Sequence, residues 1–291
     1  MATSPAHKFG QLVGNLIEDV LEPVLQEYCD KRQLYLDTKG PRPGVRKGRK
    51  LTWKDKYGNE HDLDFVIERG STAGRRGRPF AFIESAWRRY TKHSRNKAQE
   101  IQGAVLPIRD DNHLDAPFLG AVIAGEFTST SIEQMKSVGF EVLYFPYETV
   151  VEAFATAGID ARFDEATSDL AFSACVDQIE RAQSGRGTQW QAIKDKLVEI
   201  NGKRIATFTR SLTKTLDRQI QFVLILPLYG DQRRFEEVDD AIDFLAGYSQ
   251  KDPDGKFQVY EVLVRYTNGD NIKGQFEEKD RAMDFLRVTR A

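Results

Sequence analysis

His61-Asp62-Leu63-Asp64-Phe65-Val66-Ile67-Glu68 opens on alternating polar and apolar side chains, and Phe80-Ala81-Phe82-Ile83-Glu84 follows with four apolar residues closed by an acid. Alternation at period two is the signature of a strand with one buried face. Lys50–Lys54 alternates in the same way, and Tyr57-Gly58-Asn59 supplies turn residues between the two runs. Residues 50–68 therefore read as a β-hairpin. The unbroken apolar run at 80–83 reads as a strand covered on both faces.

Outward from this centre the period changes. Phe9, Leu12, Val13, Leu16, Ile17, Val20, Leu21, Leu25 and Tyr28 recur at three- and four-residue spacing. This predicts an amphipathic helix over residues 8–29, kinked or divided at Pro23. A short strand is expected at 34–36. Two loops rich in glycine, proline and charge follow, at 39–50 and 70–79. Beyond Glu84 the pattern predicts a helix at 94–104, a strand at 118–124, a helix at 131–138, a strand at 141–145 and a helix at 147–157. A hairpin followed by strand–helix alternation implies an α/β domain, with a mixed central β-sheet flanked by helices, over residues 1–158. Residues 159–210 read as a helical connector with a break at 184–187. Residues 211–291 read as a small α+β domain of order β-α-β-β-α. Trp53, Trp87 and Trp190 are expected in cores.

The chain has 291 residues, with 42 Lys and Arg against 44 Asp and Glu, a formal charge of −2. That near-neutrality hides an asymmetry. Residues 39–97 hold 17 basic and six acidic side chains, a segment of +11, which leaves −13 elsewhere. Such segregation points to a polyanionic partner. Two cysteines, Cys29 and Cys175, exclude a disulfide framework and a cysteine zinc site. There is no apolar stretch of membrane-spanning length, and MATSPAHKFGQ lacks the apolar region of a signal peptide. A cytoplasmic protein without a membrane partner is expected.

The acids within the basic segment carry the candidate chemistry. Alternation along one strand directs Asp62 and Asp64 to one face, and Glu84 ends the next strand. Carboxylates converging at strand ends make a hard oxygen site suited to Mg²⁺, or Mn²⁺. The bases around them suit a phosphate backbone. They comprise Arg46, Lys47, Arg49 and Lys50 in the first loop, Arg75, Arg76 and Arg78 in the second, and Arg89, Arg95 and Asn96 beyond Glu84.

The helix carrying Glu18, the hairpin ending in Asp64, the strand FAFIE ending in Glu84 and the helix after it resemble the PD-(D/E)xK nuclease superfamily, the fold of many restriction endonucleases. The resemblance covers residues 8–157 and rests mainly on the order of elements. It implies metal ligation by Asp64 and Glu84, with support from Glu18. The superfamily lysine stands two residues after the glutamate, where this chain has Ala86. Three accounts follow: a cation supplied from elsewhere by Arg88, Lys92 or Lys97, a domain that binds DNA without cutting it, or an inactivated enzyme. The expected activity is Mg²⁺-dependent endonucleolytic cleavage of double-stranded DNA, in the manner of a restriction enzyme and as a homodimer. The alternative is a non-catalytic DNA-binding protein on a nuclease-like fold.

Overall fold

The computed structural model describes residues 4–91, 94–184, 187–227, 233–248 and 259–289. The chain forms two compact units. The first runs to Asp110 and resumes over Phe118–Ser211; the second combines Asp111–Pro117 with the residues from Leu212 onward.

The first unit is an α/β structure built on a mixed sheet. Its five strands are β1 (Tyr35–Thr38), β4 (Phe65–Arg69), β5 (Arg78–Arg88), β6 (Phe118–Gly125) and β7 (Phe140–Pro146), in the order β1-β4-β5-β6-β7. The β1–β4 and β4–β5 pairs are antiparallel, whereas β5–β6 and β6–β7 are parallel. One face of the sheet, including Val66, Phe82, Ala86 and Ile123, packs on Ala98, Ile101, Val105 and Ile108 of α2 (Ser94–Asp111) and on Met135 of α3 (Ser129–Ser137). On the other side lies α1 (Pro5–Asp30), capped by the Ser4 side chain, with Phe9 edge-on to Trp87 at 6.2 Å. Gly120 is required by close packing on that face, because a Cβ there would stand 2.9 Å from both Ile83 and Phe208.

Three differences from the sequence pattern follow. First, α1 is continuous through Pro23 and is not divided there. Second, the run 61–68 is two strands. β2 (Leu51–Lys54) pairs with β3 (Glu60–Leu63) as a separate two-stranded hairpin, and the chain bends at Asp64 into β4. Strict alternation would send Leu63 and Val66 to opposite faces, yet both bury in the same cluster. The bend at Asp64 resets the alternation, so Asp62 belongs to the β2–β3 hairpin and Asp64 to the turn into β4. Third, α5 (Asp169–Ser184) and most of α6 (Thr188–Leu216) belong to the first unit. Phe172 meets Phe9 at 5.9 Å, and Trp190 Nε1 donates to Asp19 Oδ2 at 2.9 Å.

The two basic loops are anchored by one buried cation. Arg42, 3% exposed, donates through Nη1 to Asp37 on β1 at 2.6 Å and to Glu68 on β4 at 3.0 Å. Its Nη2 donates to Ser71 Oγ at 2.7 Å and to the carbonyls of Thr72 and Arg75 at 2.8 and 2.9 Å. Residues 39–50 are thus tied to residues 70–77. The loops come so close that a Cβ on Gly44 would lie 2.5 Å from Gly74 O.

The second unit is an antiparallel sheet of β8 (Ile220–Pro227), β9 (Arg233–Phe235), β10 (Tyr260–Tyr266) and β11 (Asn271–Phe276), ordered β11-β10-β8-β9. The helices α7 (Val238–Gly247) and α8 (Lys279–Thr289) supply Ala241, Leu245, Ala282 and Leu286 to its core. The expected β-α-β-β-α order gains one short strand, β9. Among the described residues no helix is long and apolar enough to cross a membrane.

Asp37 is 2% exposed and Glu68 fully buried, so Arg42→Ala leaves Glu68 without its cation and Asp37 with Arg46 alone. The expected loss is about 3–5 kcal/mol of unfolding free energy, measured by urea denaturation. An unchanged midpoint would show that the loops are held by something else.

Candidate active site

Glu84 stands on the long central strand β5, and Asp64 occupies the bend between β3 and β4. Pairing of β4 with β5 places Phe65 opposite Ile83, which sets these two acids side by side. Asp64 N donates to Glu84 Oε1 at 3.2 Å. Asp64 Oδ2 accepts from Ser85 N and from Ser85 Oγ, both at 2.7 Å. These bonds hold the Asp64 side chain and leave its Oδ1 for Lys39.

Lys39, the residue after β1, points into this acid group. Its Nζ lies 2.6 Å from Asp64 Oδ1 and 2.8 Å from Glu18 Oε1. Glu18 reaches in from α1 and also accepts from Ser85 Oγ at 3.4 Å. The backbone on either side of Lys39 is clamped: Arg46 donates through Nη2 to Thr38 O and through Nε to Gly40 O at 2.8 Å, and Gly40 N donates to Arg49 O at 2.7 Å. Arg46 Nη1 meets Asp37 at 2.7 Å. Lys39 remains about half exposed, open to a ligand from solvent.

The electrostatics follow from burial and proximity. Burial first, then the neighbouring Asp64 charge, push the Glu84 carboxyl up to about 9; Lys97 and Lys39 only partly offset this. Glu18 is raised for the same two reasons, with Lys39 opposing. Burial alone would lower Lys39, but the Asp64 charge and the hydrogen bonds to Asp64 and Glu18 outweigh it, and its ammonium is held above the usual lysine range.

The other expected residues separate into groups. Arg88, at the end of β5, donates to Glu100 at 3.4 Å, and Lys97 of α2 meets the same carboxylate at 3.0 Å. Both line an open cleft of about 650 Å³ that contains Glu18, Asp64 and Glu84, as does Asn96. Lys92 and His93 lie outside the described residues. Among the expected nucleic-acid contacts, Lys47, Arg49, Lys50, Arg75, Arg76, Arg78 and Arg95 are exposed. Arg46 is committed to Asp37 and the backbone. Arg89 lies over the rings of Tyr90 and Phe172 at 4.2 and 4.3 Å. Asp62 is bound to Lys50 at 2.5 Å and Thr52 at 2.8 Å instead of to the Asp64 group. Sequence reading overlooked Lys39, whose one signal was its place directly after a short strand at the head of a basic loop.

Two adjacent carboxylates fit Mg²⁺ or Mn²⁺, which take one or two protein acids and complete their shell with water and phosphate oxygens. Burial keeps the Glu84 carboxyl protonated, and a cation beside it would favour the ionised form. Among the described residues no three His, Cys, Asp or Glu side chains gather closely enough to enclose an ion by themselves.

No family model matches the chain, and no curated protein matches it. Among solved structures, the crystal structure of a protein of unknown function, AF1548, matches at 12% identity over 68% of this chain and 98% of that chain, with a TM-score of 0.28. A likeness of that size assigns neither fold nor function.

The Glu84 shift makes stability depend on pH. The folded chain keeps a proton that the unfolded chain releases near 4.5, so this contribution is full below that value and is lost as pH rises to about 9. Metal-free protein is expected to lose unfolding free energy across that window, and Glu84→Gln to flatten the slope. Parallel pH profiles of the two proteins in denaturant melts would contradict the shift.

Proposed function

We propose that the chain is a Mg²⁺- or Mn²⁺-dependent endonuclease acting on double-stranded DNA, with a first unit of the PD-(D/E)xK type. The observation that carries the reading is Lys39 Nζ at 2.6 Å from Asp64 and 2.8 Å from Glu18, beside Glu84. An ammonium standing among the acids supplies from β1 the cation that Ala86 lacks on β5.

Asp64 and Glu84 would hold the divalent ion. That ion supplies Lewis acidity and a lowered water pKa. Ser85 orients Asp64 through two hydrogen bonds. Lys39 is placed to offset charge developing on the non-bridging phosphate oxygens, and Glu18 is its positioning residue. Lys47, Arg49, Lys50, Arg75, Arg76 and Arg78 stand on the clamped loops, where they would contact successive phosphates and confer salt-dependent binding. Cutting both strands calls for two sites, hence a symmetric dimer. A cytoplasmic location accords with the two unpaired, buried cysteines. Ala86 favours a second reading, a DNA-binding protein without hydrolysis.

The deciding assay is plasmid cleavage with Mg²⁺ by the full chain and its variants. Asp64→Ala and Glu84→Ala are expected to abolish cleavage. Lys39→Ala should lose about 10²-fold or more, on the scale of removing one transition-state donor. Arg88→Ala and Lys97→Ala should lose less than about tenfold, because both pair with Glu100 and neither is bonded to Asp64 or Glu18 as Lys39 is. Cleavage equal in all variants would exclude this site. Salt-dependent DNA binding by a wild type that neither cleaves nor binds Mn²⁺ in calorimetry would establish the second reading.

A further inference from the structure

Outside the acid site, the hairpin β2–β3 presents an aromatic ring that the fold does not use. Its base is fixed. Leu51, Trp53 and Leu63 are buried in the core of the first unit, while Arg76 lies 4.5 Å over the Trp53 ring and donates to Thr52 O at 3.2 Å. Along its flanks the acids are matched by lysines, Lys50 with Asp62 at 2.5 Å and Lys54 with Glu60 at 3.3 Å.

The turn is equally well determined. Asp55, 7% exposed, accepts from Tyr57 N at 2.9 Å and from Asn59 N and Asn59 Nδ2, both at 3.0 Å. Its second oxygen lies 3.2 Å from His61 Nε2. Backbone bonds from Asp55 N to Asn59 O and from Gly58 N to Asp55 O close the loop, and Gly58 takes the positive φ of +84° that the turn demands. The one acid of the tip is therefore turned inward. Residues 56–60 face solvent, among them Lys56 and the Tyr57 ring, 78% exposed, with Lys56 Nζ 5.0 Å from its centre. Among the described residues the exposed large hydrophobic side chains are Tyr57, Leu170 and Val288, and Tyr57 is the aromatic one.

We infer that this hairpin is a finger that stacks Tyr57 on an unpaired or extruded base of DNA, with Lys56 on the adjoining phosphate. The inference rests on the reading of the acid site as a nuclease and narrows its substrate to DNA with an accessible base. A rigid turn bearing an exposed ring and an ammonium matches the two faces of a nucleotide, and stacking is indifferent to base identity. The strand behind the tip leads straight to Asp64. Seven residues span at most about 24 Å, so the stacked base would lie within about seven nucleotides of the cleaved phosphate at ~3.4 Å per nucleotide.

The test uses the full chain in chelator at low salt, so that binding is read without cleavage. Fluorescence anisotropy compares a labelled duplex carrying a central gap of six unpaired thymidines with the same duplex fully paired. Tyr57→Ala is expected to weaken binding to the gapped probe roughly tenfold, the scale of one lost base stack, and binding to the paired duplex less than about threefold. Tyr57→Phe, which keeps the ring, should match wild type on both. Equal affinity of wild type and Tyr57→Ala for the gapped probe overturns the finger while leaving the nuclease reading intact. A Tyr57→Phe loss as large as that of Tyr57→Ala assigns the contact to the hydroxyl and overturns stacking. Wild type that binds neither probe overturns the finger and leaves the nuclease reading to the plasmid assay with Mg²⁺.

Discussion

The constraint on which the candidate site depends is the burial of Arg42 between Asp37 and Glu68. A guanidinium can leave water only when its donors find acceptors, and here two carboxylates, a hydroxyl and several carbonyls meet it. Such a cluster contributes little net stability, because desolvation of three charges cancels much of their attraction. Its effect is geometric. The acceptors come from β1, from β4 and from the loop 70–77, so both basic loops are held in one arrangement. A second guanidinium, Arg46, adds to the same cluster and grips the backbone on both sides of Lys39.

That grip explains how a lysine with a long, mobile side chain comes to stand at one place. Lys39 leaves a restrained backbone and meets Asp64 and Glu18 together. Without it, two carboxylates would face each other across a partly buried space with Glu84 close behind. Burial, and then the Asp64 charge, still hold the Glu84 carboxyl well above the usual carboxylate range, with Lys39 and Lys97 offsetting only part of that. Acid and base are thus arranged in layers: carboxylates on the central strands, one lysine among them, and the exposed bases on loops around the rim.

Much of this frame was legible in the residues. Period-two alternation marked the strands, the isolated acids Asp64 and Glu84 stood out at their ends, and the +11 segment marked the two basic loops beside them. Where the pattern misled, the reason is local. Alternation assumes an unbroken strand, and the bend at Asp64 shifts the register by one, which removes Asp62 from the site and attaches it to Lys50 on the hairpin. The motif lysine was sought just beyond Glu84, among Arg88, Lys92 and Lys97, because sequence proximity was the guide available. Arg46 read as a surface base because charge alone does not distinguish a guanidinium on a phosphate from one on a buried aspartate.

Local order in the chain was therefore sufficient for the elements, their alternation into an α/β sheet and the candidacy of two carboxylates, since each depends on neighbours a few residues apart. The partners of those carboxylates were not written there. Lys39 is 21 residues from Glu18 and 25 from Asp64, and it meets them only because β1 pairs with β4 while α1 crosses the sheet. Hydrophobic periodicity states which face of an element is buried. Which ammonium stops among which carboxylates is decided by strand order and by the clamp on its backbone, and these exist only once the chain has folded.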